Sequence, residues 1–292
     1  MMPQLNTPVN VSPLPVHIDV GSVVVSLGSC FADEIGQRML RDGFNVDVNP
    51  FGTLYNPASV AAALGRLVDD CEVEASDLVQ HDGLFHSWHH HGSFSRPSVE
   101  ETLDVCNNRI HAAHNSLMKA DVLLVTFGTA WVFERKMENG VRNVVANCHK
   151  LPASTFERRR MSVDEIVELW RPLMQKLSTL NSHLSTIFTV SPIRHMADGA
   201  HGNQLSKSTI LLAIDKLLTE RMPQIHYFPA YEIVLDELRD YRFYAADMAH
   251  PSPLASDIVY SRFQQATMSL ATIQQAHNNA KQAKRAGHVP LH

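Results

Sequence analysis

Two apolar patterns alternate along the chain. Over residues 22–27, 121–127 and 185–191, aliphatic and β-branched side chains run with little polar interruption and stop at Gly28, Gly128 or Ser191-Pro192. Such runs read as strands buried on both faces. Between them the apolar residues recur with the 3.6-residue period of amphipathic helices. Helices are expected over 32–42, closed by Gly43, and from Pro57 at a first helical position through "ASVAAALGRLVDD". Others are expected over 98–120, opened by a Ser98-x-x-Glu101 capping box, over "SVDEIVELWRPLMQKLSTLNS", and over "SKSTILLAIDKLLTERM". One long final helix is expected from "PSPLASD" to "KQAKRA", and "IHYFPAYEIVLDEL" reads as a strand leading to a short helix. "HDGLFHSWHHHGSFSRP" reads as a loop with brief strand pieces, and "VVANCHKLP" as a short strand or loop. Strands alternating with helices predict an α/β fold with a mostly parallel sheet covered on both faces. The expected organisation is one domain over 1–292, with an extended, Pro-punctuated arm at 1–20 and a basic, solvated tail at about 276–292.

Composition narrows the class. Hydrophobic residues make up 45% of the 292 and charged residues 19%, as in a globular chain with a sizeable core. A net charge of −5 implies no general affinity for nucleic acid or anionic membranes. No apolar run is long enough to span a membrane, and residues 1–22 lack the basic and apolar regions of a secretory signal, so the cytoplasm is the expected compartment. The four cysteines, Cys30, Cys71, Cys106 and Cys148, form no CxxC pair and no zinc spacing.

Chemistry is expected at the strand ends, because ligands of open α/β sheets bind at the carboxyl edge. The first strand stops at Gly28-Ser29-Cys30, where a helix begins and supplies free N–H groups and a positive partial charge. A thiol held there beside an imidazole has the setting of a thiolate nucleophile; otherwise Cys30 is a packing thiol. Ser29 is the second candidate nucleophile, or the helix N-cap. Near the other end of the sequence, Asp247-x-x-His250 precedes the last helix. In that arrangement the imidazole takes the nucleophile's proton and the carboxylate orients the imidazole. His195 and Arg194 follow the third strand and are expected to edge the pocket, Arg194 to pair either a carboxylate of the protein or an anionic substrate group. The run His89-His90-His91 suggests a metal site, but adjacent strand residues point to opposite faces and no clear carboxylate accompanies them; the run is expected to pack or to line the substrate pocket, and no metal and no cofactor is expected. His149, beside Cys148, is a weaker candidate still.

The intact string Gly28-Ser29-Cys30-Phe31-Ala32 resembles the signature of the GSCFA family. So do "NPFGTLYNP" (49–57), "TFGTAW" (126–131), "ANCHK" (146–150), "SPIRH" (191–195) and "YRFYAADMAHPS" (241–252), which together span most of the chain. The resemblance extends to the SGNH/GDSL hydrolases, and implies a flavodoxin-like three-layer α/β/α sandwich with esterase or acyltransferase chemistry. Laid on the wider superfamily's blocks, Cys30 falls on the nucleophile and Ser29 on the residue before it. Gly52 falls on an oxyanion-donor glycine, Gly128 and Thr129 open the third block, and Asp247 and His250 match the last. Ala130 stands where that superfamily has an oxyanion-hole Asn, so Asn56, Thr129 or Asn147 would have to replace it. The implied substrate is a small-molecule or glycan acyl ester, or a thioester, hydrolysed or transferred. Two other functions remain open: a silent carbohydrate- or acyl-group-binding module on the same fold, which Ala130 favours, and thiol redox work by Cys30, for which the sequence offers no neighbouring resolving cysteine.

Overall fold

The structure is a computed structural model, and it describes residues 7–137, 140, 142–220 and 224–286. Its centre is a five-stranded parallel sheet. β1 (Val23–Gly28) is flanked by β2 (Asn45–Val48) and β5 (Val122–Phe127); beyond β5 lie β9 (Ser185–Val190) and β10 (Ile225–Tyr227). In chain order that is the 2-1-3-4-5 arrangement of flavodoxin-like folds. The three unbroken apolar runs are the three inner strands. β3 (Leu78–His81) and β4 (Leu84–Ser87) make a separate hairpin.

Side-chain alternation sorts the layers. Val25, Leu27, Leu123, Val125, Phe127, Phe188 and Val190 face one core, covered by α2 (Pro57–Asp69), α3 (Val99–Leu117), α4 (Val163–Leu180) and α5 (Gly199–Thr219). Val24, Val122, Leu124 and Ile187 face the other, covered by α1 (Cys30–Arg41), the short α6 (Ala230–Glu232), α7 (Pro253–Thr267) and α8 (Leu270–Ala286). The result is the expected three-layer α/β/α arrangement. Ser162 and Glu165 form a full capping box on α4, whereas on α3 Ser98 accepts from Glu101 N–H. No helix among the described residues is long and apolar enough to cross a membrane.

Two expectations are corrected. The final helix is two helices: Met268 turns extended (φ −128°, ψ 152°), and Ser269 Oγ accepts from Thr272 N–H to start α8. The basic stretch from 276 to 286 is therefore helical and anchored at its start, while Lys281, Gln282, Ala283 and Arg285 are exposed. Ala276 is fully buried, and Asn279 donates to Asp42 O; residues 287–292 lie outside the described set. Finally, "VVANCHKLP" is the end of a strand and the loop after it, as expected, but the pattern did not announce the sheet to which that strand belongs. It is a three-stranded antiparallel sheet in which β6 (Trp131–Lys136) lies between β7 (Arg142–Val145) and β8 (Phe156–Arg160). Ahead of β1 the chain is tied to α7 through Leu14 and Ile18 N–H groups, which donate to Ala266 O and Thr267 O; residues 1–6 of the expected arm lie outside the described residues.

At the end of β1, Gly28 has φ +145°, and a Cβ there would sit 2.1 Å from Thr126 O of β5. Backbone cannot yield at the centre of a sheet. Gly28→Ala should cost about 2–4 kcal/mol or prevent folding, by steric strain at a position only glycine tolerates. Urea denaturation of the variant checks this, and an unchanged midpoint would contradict the geometry.

Candidate active site

Five loops meet at the carboxyl edge of the parallel sheet. After β1, Ser29 caps α1 by accepting from Phe31 N–H, and its own N–H donates to Thr126 O. Cys30 is the first residue of the helix, so its N–H is one of the orphan donors of the first turn. After β2, Asn49 takes a left-handed turn (φ 44°), and its side-chain carbonyl receives Gly28 N–H. That turn delivers Tyr55, whose backbone carbonyl accepts from both Gly128 N–H (2.8 Å) and Thr129 N–H (2.9 Å). After β9, Arg194 N–H donates to Ala249 O, joining the "SPIRH" loop to the loop of Asp247 and His250.

Lys207 of α5 ties these ends together from beneath. It is 1% exposed, and its ammonium donates to Gly128 O and to Ser191 O, each at 2.6 Å. Burial pulls its pKa down to about 7. Next to it, Ser206 Oγ accepts from Ala130 N–H and bonds Thr129 Oγ1. Sequence reading missed both residues, because a lysine and a serine inside an amphipathic helix carry no sign of which way they face.

Above these groups lies a cavity of about 620 Å³. Its floor holds Ser29, Cys30, Tyr55 and Asn56; its rim holds Arg194, His195 and His250. The antiparallel sheet supplies the opposite wall through Trp131, Phe133 and Arg158. Cys30 Sγ lies 3.4 Å from Tyr55 Oη. His250 Nδ1–H donates to Asp247 Oδ2 at 2.6 Å, which leaves Nε2 as the free acceptor. Donation from the N–H groups of His250 and Ala249, and then from the imidazole, holds the Asp247 carboxyl at about 2, although both side chains are about half exposed. No hydrogen bond joins Cys30 to His250 among the described residues; they share the cavity without touching.

The remaining candidates divide. His195 lines the cavity with Nε2 buried and unpartnered, and burial pulls its pKa down to about 4, so the ring is neutral at pH 7. Its Nε2 and the Ser29 Cβ both lie within about 3.3 Å of where a Gly128 side chain would stand. Asn56 caps α2 through Oδ1, which accepts from Ser59 N–H, and presents its amide nitrogen unbonded. Three of the glycine and threonine donors suggested by the resemblance are already used. Gly52 N–H donates to Asn49 O, and Gly52 packs against His91 instead of lining the cavity. Gly128 and Thr129 N–H groups are both spent on Tyr55 O. Asn147 lines the cavity, its Oδ1 accepting from His149 N–H.

The histidine run serves packing. His89 bonds Arg66 and faces Asp77; His90 is stacked on Phe51 with its Nδ1 on Ser87 Oγ; His91 covers Gly52. His149 is stacked on His86 and reaches Ser87 O. Cys148 was invisible as a neighbour of Cys30 in the sequence, yet it lines the same cavity, its thiol pushed up to about 11 by burial.

A family model described as the GSCFA family matches residues 23–263. No curated protein matches the chain. Among solved structures, the chain is similar to a crystal structure of a carbohydrate esterase family 3 from Talaromyces cellulolyticus, with 8% identity and a TM-score of 0.29. That match covers 56% of this chain and 65% of the esterase chain.

Lys207→Met would strand two buried carbonyls and should cost about 2–4 kcal/mol. The cost should depend on pH with a definite sign. A folded-state pKa of about 7 lies below the ordinary lysine value, so between the two the unfolded chain holds a proton that the folded one has released. Wild type should therefore gain stability on the variant as pH rises from 7 toward 10. Urea midpoints at pH 6.5 and 9 test it, and a pH-independent difference would refute it.

Proposed function

The chain belongs to the GSCFA family, and on that premise we propose that it cleaves or transfers acyl groups from esters or thioesters through a covalent intermediate on Cys30. One observation carries this reading. A thiol at the N-terminus of α1 and an imidazole already bonded to a carboxylate border the same cavity at the carboxyl edge of the sheet.

The chemistry follows from the groups present. His250 Nε2 takes the Cys30 thiol proton as Sγ attacks the carbonyl carbon, and Asp247 stabilises the imidazolium without taking its proton. The tetrahedral oxyanion is met by the Cys30 N–H and the amide of Asn56, which stands in for the Asn absent at Ala130. His250 returns the proton to the departing oxygen or sulfur, leaving an acyl-thioester on Cys30. Water, or a sugar hydroxyl, then attacks this thioester with His250 again as base. Closure of the gap between Cys30 and His250 belongs to the substrate-bound state, since catalytic hydrogen bonds are often long without substrate. Ser29 is the less favoured nucleophile: its oxygen is engaged as the α1 cap. A silent acyl- or glycan-binding role draws its support from the unmade Cys30–His250 bond and from Ala130.

Intact mass spectrometry after incubation with short-chain p-nitrophenyl esters tests the proposal. An acyl adduct should form on Cys30 and vanish in Cys30→Ala. His250→Ala should lower turnover by about 10²–10⁴-fold, the usual worth of general-base assistance. Glycan binding with no adduct and no turnover would leave only the binding role, and an adduct surviving Cys30→Ala would move the nucleophile to Ser29.

Alkylation gives an independent check. Iodoacetamide at pH 7 should label Cys30 well before Cys106 and Cys148, whose thiols burial pushes up to about 12 and about 11. His250→Ala should slow that labelling. Equal, slow labelling of all three would make Cys30 a packing residue.

A further inference from the structure

The charges around the cavity do not all find partners inside the protein. Arg158 is held two-pronged by the carboxylate of Asp198, at 2.5 and 2.7 Å, and its guanidinium lies 4.3 Å over the Trp131 ring. His250 is held by Asp247. His195 is uncharged near neutral pH, and Lys207 lies sealed below with its protons on two carbonyls. Arg194 is different. It lines the cavity, and among the described residues its guanidinium makes neither an ion pair nor a hydrogen bond. Of the two partners the sequence left open, no protein carboxylate meets it among the described residues.

A second unpartnered donor stands nearby. The Tyr244 hydroxyl has no hydrogen-bond partner among the described residues, whereas the neighbouring Tyr231 hydroxyl donates to Gln204. Burial pushes both phenols up. Backbone contacts bring both Tyr244 and Arg194 to the His250 loop. Tyr244 pairs with Pro251 as an isolated bridge, and Arg194 N–H donates to Ala249 O. A planar, permanently charged fork beside a free hydroxyl is suited to a carboxylate or phosphate oxygen pair.

We propose that Arg194, with Tyr244, forms an anion subsite at the rim of the cavity, so that the ester handled at Cys30 carries a carboxylate or phosphate group. This rests on the acyl-transfer reading for its connection to Cys30, but the subsite itself binds without turnover. Anchoring a substrate by a charge remote from the reacting carbon is how an enzyme holds that carbon in register with its nucleophile.

Calorimetric titration of the full chain carrying Cys30→Ala, which cannot form an adduct, tests the subsite separately from the chemistry. The probes are monomethyl glutarate, glycerol 3-phosphate and neutral dimethyl glutarate. At least one anionic probe should bind at least tenfold tighter than dimethyl glutarate, and more weakly as salt rises. A carboxylate preference places the charge on the acyl side, and a phosphate preference on the alcohol side. Arg194→Gln should remove about tenfold or more of that affinity, Tyr244→Phe should remove less, and Arg194→Lys should restore part of it. Unfolding temperatures confirm that each variant folds, as expected for side chains without internal bonds. Equal binding of charged and neutral probes, or anion affinity untouched by Arg194→Gln, would overturn the proposal. So would an Arg194→Gln protein that alkylates more slowly at Cys30 while binding anions normally, since Arg194 would then serve the thiolate. Turnover of neutral esters without preference for charged ones would refute the subsite and leave the acyl-transfer reading standing.

Discussion

One buried ammonium organises the functional edge of this protein. Lys207 reaches up from α5 and bonds the last free carbonyls of two neighbouring strand ends, Gly128 after β5 and Ser191 after β9. Burying a charge costs several kcal/mol, which short hydrogen bonds to fixed dipoles offset only in part, in keeping with a pKa pulled down to about 7. Carbonyls at the end of a parallel sheet have no further strand to bond, and inside the molecule they have little water either. Lys207 answers that need with one side chain. The loops that leave Gly128 and Ser191 carry Thr129, Arg194 and His195, so their positions follow from this contact.

The same logic recurs at the neighbouring ends. The Tyr55 carbonyl accepts two N–H groups from the loop after β5, and the Asn49 side chain accepts the last N–H of β1. These bonds use up donors that a comparison of motifs would assign to an oxyanion. What they leave unbonded is more informative: the Asn56 amide, the first N–H of α1, the buried His195 Nε2 and the Arg194 guanidinium. Unpaired polar groups around a cavity are costly unless something meets them. Their convergence on one volume distinguishes this cavity from a packing gap.

The antiparallel sheet contributes a wall and little of the main core. Trp131, Phe133 and Arg158 form a stacked shelf, locked to the loop after β9 by the Arg158–Asp198 pair. The parallel sheet thus presents the polar groups at its carboxyl edge while the added strands wall the cavity above them. The half-exposed Asp247–His250 pair borders the same cavity from a loop; in the proposed reaction it would approach Cys30 as a substrate fills the space.

Local pattern was enough for the frame. The apolar runs ending at Gly28, Gly128 and Ser191 are the three inner strands, and strand–helix alternation implied both covered faces and the carboxyl edge as the site. The string from Gly28 to Ala32 and its companion motifs identified the family. Short-range bonds were equally legible: Asp247 and His250, three residues apart, are joined as their spacing suggested. What escaped were features set by partners far away in sequence. "FERRR" is too polar to declare itself a strand until β6 lies beside it, and nothing in "ATMSLAT" marks Met268 as a break except the packing of α8. Gly52, Gly128 and Thr129 matched a donor motif, yet their N–H groups were claimed by Asn49 and Tyr55. Lys207 is one polar residue on an amphipathic helix, and only the assembled sheet turns it inward. Apolar periodicity, a local property, was enough for the inner strands and most of the helices that cover them. The tertiary structure alone decided which polar atoms are used up and which stay free, because each donor has few bonds to give and its partners come from distant parts of the chain.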